Sequence, residues 1–130
     1  MKYFVSGHRD LTKEEFEKYY IPLIQKVMLY DEDAEFIVGD WEGCDTMFIE
    51  YMLEYKFDVF INVYCVNSPQ MIPLKDFVST EFPNIFINLR NTHDKCDASM
   101  TKDSDFDIAW IRPGKENSHT AKNIKRRYNL

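Results

Sequence analysis

"KYFVSGHRDLTKEEFEKYYIPLIQKVMLYDEDAEFIVGD", residues 2–40, holds two short β-rich runs with a helical pattern between them. The first run, "KYFVSG", stops at Gly7 and reads as a strand. Thr12 then stands three residues before Glu15, the spacing of a capping box, in which each side chain bonds the other residue's backbone amide. Phe16, Tyr19, Tyr20, Leu23, Ile24 and Val27 follow at helical spacing. Pro22 has no amide hydrogen and crowds the preceding turn, so it kinks this run or breaks it in two. "EFIVGD" is the second strand. Two strands joined through a helix run in the same direction, and a parallel sheet follows.

The alternation continues along the chain. "CDTMFIEYMLEYK" predicts a helix with Met47, Phe48, Tyr51 and Met52 turned inward. "FDVFINVYCV" predicts a third strand, nearly continuous in apolar residues, as expected where both faces are covered. "NSPQMIPLKDF" reads as loop with at most one short helix, and "NIFINL" as a fourth strand. "HDKCDASMTKDS" reads as a short helix, and "FDIAWIRPG" as a fifth strand ending at Pro113 and Gly114. "SHTAKNIKRRYNL" closes the chain as a basic helix. No internal repeat or low-complexity linker interrupts the pattern. The expected fold is α/β: a single three-layer Rossmann-like domain over residues 1–130. Its mostly parallel sheet of about five strands is flanked by helices. The ligand cleft of such a domain lies beyond the carboxyl ends of the strands.

Composition narrows the function classes. A chain of 130 residues is long enough for one domain with a real core. No apolar run approaches the roughly 20 residues of a membrane helix. The stretch "MKYFVSGHRD" has too little apolar length for a signal peptide, so a cytoplasmic protein without a membrane partner is expected. Cys44, Cys65 and Cys96 are odd in number and show no paired spacing, which fits reduced thiols. His8, His93 and His119 are scattered, so neither a metal nor a cofactor is expected. The net charge of −6 argues against nucleic-acid binding overall. Charge is uneven, however: six of the 16 basic residues but one of the 22 acids fall between Arg112 and Arg127. That segment is either a solvated helix face or a contact for phosphate, RNA or an acidic partner. Aromatic residues make up 15%, enough to leave surface for pairing, and a homo-oligomer is expected.

Three strand ends carry the unusual residues. In "SGHRDLT", Ser6 and Gly7 leave the first strand, Gly7 lets backbone approach a ligand, and Arg9 offers a bidentate phosphate contact. Alternatively, Asp10 and Thr12 only cap the helix. In "GDWEGCD", Gly39 and Gly43 frame a turn whose following helix presents free amides. Glu42, Asp45 and Asp40 would repel a bare phosphate but accept hydrogen bonds from ribose hydroxyls. Trp41 either stacks on a base or covers the core rim. In "RPGKENSHT", Gly114 frees the backbone, Ser118 and Thr120 offer hydroxyls, and Arg112 and Lys115 add positive charge. A phosphate fits there, although Ser118 also satisfies an ordinary N-cap.

Together "SGHRDLT", "GDWEGCD" and "DASMTKDSDFDIAWIRPGKENSHTAKNI" resemble the SLOG superfamily of Rossmann-like nucleotide-binding domains. That group takes in the Smf/DprA proteins, the LOG hydrolases and small YspA-like proteins. The resemblance implies a nucleotide or nucleotide-derived ligand held across the sheet edge. In the hydrolase branch a late loop of the form G-T-x-x-E binds phosphate, and its glutamate acts at the sugar carbon that leaves the base. Laid on this chain, the threonine is Thr120, the glutamate position is Asn123, and His119 replaces the glycine. An amide cannot act as that carboxylate.

The expectation is therefore nucleotide binding without the usual glutamate-dependent hydrolysis. Two alternatives stand beside it. One is a nucleoside 5′-monophosphate N-glycosidase using another acid, for which Glu50, Asp45, Glu42, Asp97 and Glu116 are available by type. The other is an interaction protein that docks through its basic C-terminal helix, the one route left for nucleic acid.

Overall fold

The computed structural model describes residues 1–55, 59–66, 85–90 and 93–128. Five strands form one sheet: β1 (Lys2–Ser6), β2 (Glu35–Gly39), β3 (Phe60–Val66), β4 (Ile85–Arg90) and β5 (Phe106–Ala109). Their order across the sheet is β4-β3-β2-β1-β5, and every pairing is parallel. Among the described residues the helices are α1 (Lys13–Tyr19), α2 (Ile21–Tyr30), α3 (Cys44–Tyr55), α4 (His93–Asp103) and α5 (His119–Tyr128). This is a Rossmann-like α/β domain of three layers.

The local signals in residues 2–40 act as their chemistry dictates. Thr12 Oγ1 accepts from the Glu15 amide at 3.1 Å, and Glu15 Oε1 accepts from the Thr12 amide at 3.0 Å. Pro22 sits in the first turn of α2, where its missing amide hydrogen costs nothing. The run therefore breaks at Tyr20 into two helices. The break shifts the helical phase: Phe16, Tyr20 and Ile24 are buried, while Leu23 turns outward at 44% exposure.

Two clusters cover the two faces of the sheet. On one face, α1, α2 and α3 pack Phe16, Ile24, Phe48 and Met52 onto Val5, Phe36, Val38, Val63 and Ile108. Fully burying a phenylalanine such as Phe36 or Phe48 contributes about 2–3 kcal/mol. Ile49 and Cys44 are buried in α3 beside the expected Phe48 and Met52, while Met47 and Tyr51 are only partly buried. On the other face, Cys96 and Met100 of α4 pack onto Phe4, Ile37 and Tyr64.

Two boundaries differ from expectation. β5 ends at Ala109 rather than reaching Pro113 and Gly114, because side chains take the next amides out of the sheet. Trp110 N–H donates to the Tyr20 hydroxyl at 3.0 Å, and Arg112 N–H to His8 Nε2 at 2.8 Å. β3 begins at Phe60, whose ring is 47% exposed, so one end of that strand is not covered on both faces. The loop expected at "NSPQMIPLKDF" lies outside the described residues.

Candidate functional site

The chain adds β2, β3 and β4 on one side of β1, then returns to set β5 on the other. Loops leaving β1 and β5 diverge at that switch point, and a crevice opens between them. The crevice is a cleft of about 620 Å³ on the face carrying α4 and α5. That volume lies within the range of small-molecule sites. Phe4, Tyr64, Cys96 and Met100 give the cleft apolar walls.

One side is acidic. Asp45 opens α3, and its Oδ2 accepts from the Trp41 amide at 3.2 Å. A side chain on Gly39 would stand 2.6 Å from that oxygen, so the glycine makes room for the carboxyl. Burial raises the Asp45 pKa to about 7; Asp97 and Asp40 push the same way, against the Trp41 amide. Near neutral pH the group is therefore shared between acid and carboxylate. Arg9, from the loop after β1, lies over Trp41 with its guanidinium carbon 4.4 Å from the ring centre.

The opposite side is built of neutral donors. Ser118 caps α5, its Oγ accepting from the Ala121 amide at 3.2 Å. The amides of His119 and Thr120 have no acceptor among the described residues, as expected in a first helical turn. Thr120 and Asn123 line the cleft while almost fully buried. Asn123 Oδ1 accepts from Arg126 at 2.7 Å, which leaves its amide hydrogens as donors. Ser6, at the end of β1, is 6% exposed, and its hydroxyl finds no partner among the described residues. His119 Nδ1 lies 3.9 Å from Asp97 Oδ2, so a carboxylate stands beside the first turn of α5 as well.

Behind these walls a polar strut joins the loops after β1 and β5. His8 Nε2 accepts from the Arg112 amide, so the neutral ring carries its proton on Nδ1. Burial and the nearby Arg112 charge lower the His8 pKa. The Arg112 guanidinium forks onto Glu15, at 3.1 Å from Nε and 2.6 Å from Nη2, and reaches Asp10 at 3.0 Å. These bonds hold the Glu15 pKa down to about 2.

Most of the expected site residues meet in the cleft: Ser6, Gly7 and Arg9 from the first loop, and Gly39, Trp41, Glu42 and Asp45 from the second. Gly114, Lys115, Ser118 and Thr120 come from the third. Two do not line it. Arg112 is spent on Glu15 and Asp10, acids almost a hundred residues away in sequence, and is a strut rather than a ligand contact. Gly43, with φ of 81°, lets the His8–Arg9 backbone cross it, since a side chain there would collide with the Arg9 carbonyl oxygen. Gly7 lines the cleft, but the space a side chain would need is filled by the Tyr20 hydroxyl and Cys44. Its lack of a side chain serves packing. Asp40 joins the acidic side, and His8 and Asn117 line the cleft in addition to the set expected from sequence.

The basic C-terminal segment is also partly committed. Arg127 is bound to Asp107 at 2.7 Å and to the Ser104 carbonyl at 2.9 Å, and Arg126 to Asn123. Among the described residues, no group of three His, Cys, Asp or Glu side chains could hold a metal ion, and no helix is long and apolar enough to cross a membrane. Comparisons with protein-family models, with curated proteins and with solved structures each gave no match.

Proposed function

We propose that the chain binds a nucleotide or nucleotide-derived ligand in this cleft, and that it does so without the glutamate chemistry of SLOG hydrolases. The observation that carries the proposal is the Ser6 hydroxyl: buried, without a partner among the described residues, and borne by a residue that lines the cleft. A buried hydroxyl left without a partner costs about 1–3 kcal/mol, which a ligand oxygen would recover. The Thr120 and His119 amides, the Asn123 amide hydrogens and Lys115 suit a phosphate. Asp40 and Asp45 suit the hydroxyls of its sugar. The SLOG resemblance points the same way.

A thermal-shift screen against nucleoside mono-, di- and triphosphates, NAD, ADP-ribose and cyclic nucleotides tests the proposal. A ligand at about 100 times its dissociation constant adds roughly 2.7 kcal/mol, enough to raise the midpoint by several degrees. A panel that leaves the midpoint unmoved defeats it.

Base-releasing hydrolysis is the second reading, and the Asp45 carboxyl favours it. A carboxylic acid with a pKa of about 7 in a cleft can protonate a departing base, as a general acid should near neutral pH. Asn123 cannot take the nucleophile's part. Free base released from a bound monophosphate, and abolished in Asp45→Asn, would replace the binding reading with this one. Docking through the basic helix draws less support, because Arg112, Arg126 and Arg127 are engaged within the fold. Pairing of two copies stays within the proposal; exposed Leu29 and Tyr30 on α2 offer a surface, and light scattering on the purified chain tests it.

A further inference from the structure

The layer of Arg9 on Trp41 has no role in phosphate or sugar binding as described above. Trp41 is pinned by its backbone on both sides. Its amide donates to Asp45 Oδ2 at 3.2 Å, and its carbonyl accepts from Thr46 Oγ1 at 2.8 Å. These bonds fix the backbone that carries the indole, and the Arg9 guanidinium lies over the ring, 4.4 Å from its centre. Glu42 Oε1 holds the same guanidinium at 3.4 Å from Nη2. The Arg9 side chain is 59% exposed, so its outer side is open. Both residues line the cleft.

A guanidinium in this setting is a poor phosphate ligand. Glu42 already balances its charge, and Asp10, Asp40 and Asp45 line the same end of the cleft. An anion placed there would meet more carboxylate than cation. The opposite end, at the first turn of α5, offers amide and hydroxyl donors and Lys115, with Asp97 as the carboxylate beside His119. What remains for Arg9 is its planar, weakly hydrated face, which stacks readily on aromatic rings. Guanidinium planes are a common stacking surface for nucleobases.

We infer that Arg9, laid on Trp41, is the stacking surface for the base of the ligand, and that the preferred class is a purine nucleotide. A bicyclic ring covers more of the layer than a pyrimidine does, while the carboxylates nearby accept from its sugar and amino groups. The inference rests on nucleotide binding in the same cleft and adds which end takes the base. It also reverses the expectation that Arg9 contacts phosphate.

Calorimetric titration of AMP, GMP, UMP, CMP and ribose 5-phosphate against the wild type and Arg9→Lys tests it. Lysine keeps the charge and loses the plane, and the exposed position lets the variant fold. The wild type should bind the purine monophosphates at least tenfold more tightly than the pyrimidine ones, a gap within the range of single base-stacking contacts. In Arg9→Lys that preference should fall to within about twofold, while ribose 5-phosphate is unaffected. A second variant, Trp41→Leu, should lower the purine preference in the same direction. Equal loss for all five compounds, or an unchanged purine preference, overturns the stacking role and leaves nucleotide binding intact. No binding of any of the five to the wild type overturns the inference together with the nucleotide reading beneath it.

Discussion

The Arg112 amide donates to His8 Nε2 at 2.8 Å, across 104 residues of sequence. This bond joins the loops that leave β1 and β5, the two strands flanking the switch point. It therefore fixes the backbone from which Gly114, Lys115 and Ser118 reach the cleft. Tyr20 performs the same service one step earlier: its hydroxyl accepts from the Trp110 amide at 3.0 Å and donates to the Ser6 carbonyl at 2.7 Å. The wall of the cleft is held by side chains rather than by sheet pairing.

His8 makes that wall sensitive to acid. Its pKa in the fold lies below the ordinary 6.5, through burial first and then Arg112 and Lys115, against Asp10 and Glu15. The unfolded chain takes up the proton first, so the His8 contribution to stability falls as pH drops through and below about 6.5. His8→Gln keeps an acceptor that does not titrate. Melting curves of the two proteins between pH 8 and pH 5 should converge in shape at the alkaline end, with the acid-side loss smaller in the variant. Parallel curves throughout would remove His8 from the account.

Asp45 has the opposite dependence. Its folded pKa of about 7 lies above the ordinary carboxyl value of 3.8, so the folded protein holds a proton that the unfolded chain has released. The Asp45 contribution to stability therefore declines as pH rises from about 4 to about 7 and is flat above. Asp45→Asn should stabilise the protein at pH 8 by up to about 4 kcal/mol, with little gain at pH 4. Denaturant midpoints at the two pH values check this. A larger gain at pH 4 contradicts it.

Two glycines with positive φ should respond differently to alanine. Gly114, with φ of 88°, has nothing within 4 Å of the place a side-chain carbon would take, so Gly114→Ala meets backbone strain alone, about 1–2 kcal/mol. At Gly43 the added carbon would also collide with the Arg9 and His8 carbonyl oxygens. Gly43→Ala should cost distinctly more than Gly114→Ala in urea unfolding, and should weaken ligand binding by moving the Arg9 loop. Equal costs would mean that the loop yields freely.

The fold is legible in the sequence because its signals are local. A capping box, a proline at a helix start and two β-rich runs each act within a few residues, and residues 2–40 state the parallel βαβ unit outright. The cleft is legible where strand ends carry glycine, acid or hydroxyl residues, and these do converge. What sequence does not reveal is which of them long-range partners have taken. Arg112 looks free beside Gly114 because nothing local says that Glu15 and Asp10 await it. Gly43 looks like a ligand turn because the backbone that crosses it comes from about 35 residues earlier in the chain. His8 stands inside the "SGHRDLT" motif, and only the pairing of β1 beside β5 brings it to Arg112.

The most direct test is calorimetric titration of the nucleotide giving the largest thermal shift, against the wild type and Ser6→Ala. Ser6 carries a buried hydroxyl with no partner among the described residues, so its removal should leave stability unchanged or slightly raised. If that hydroxyl awaits a ligand oxygen, the wild type binds one equivalent saturably, and the variant binds about tenfold more weakly at equal stability. Identical affinities for the two proteins would contradict the account, because the feature that marks the cleft as a binding site would then have nothing to bind.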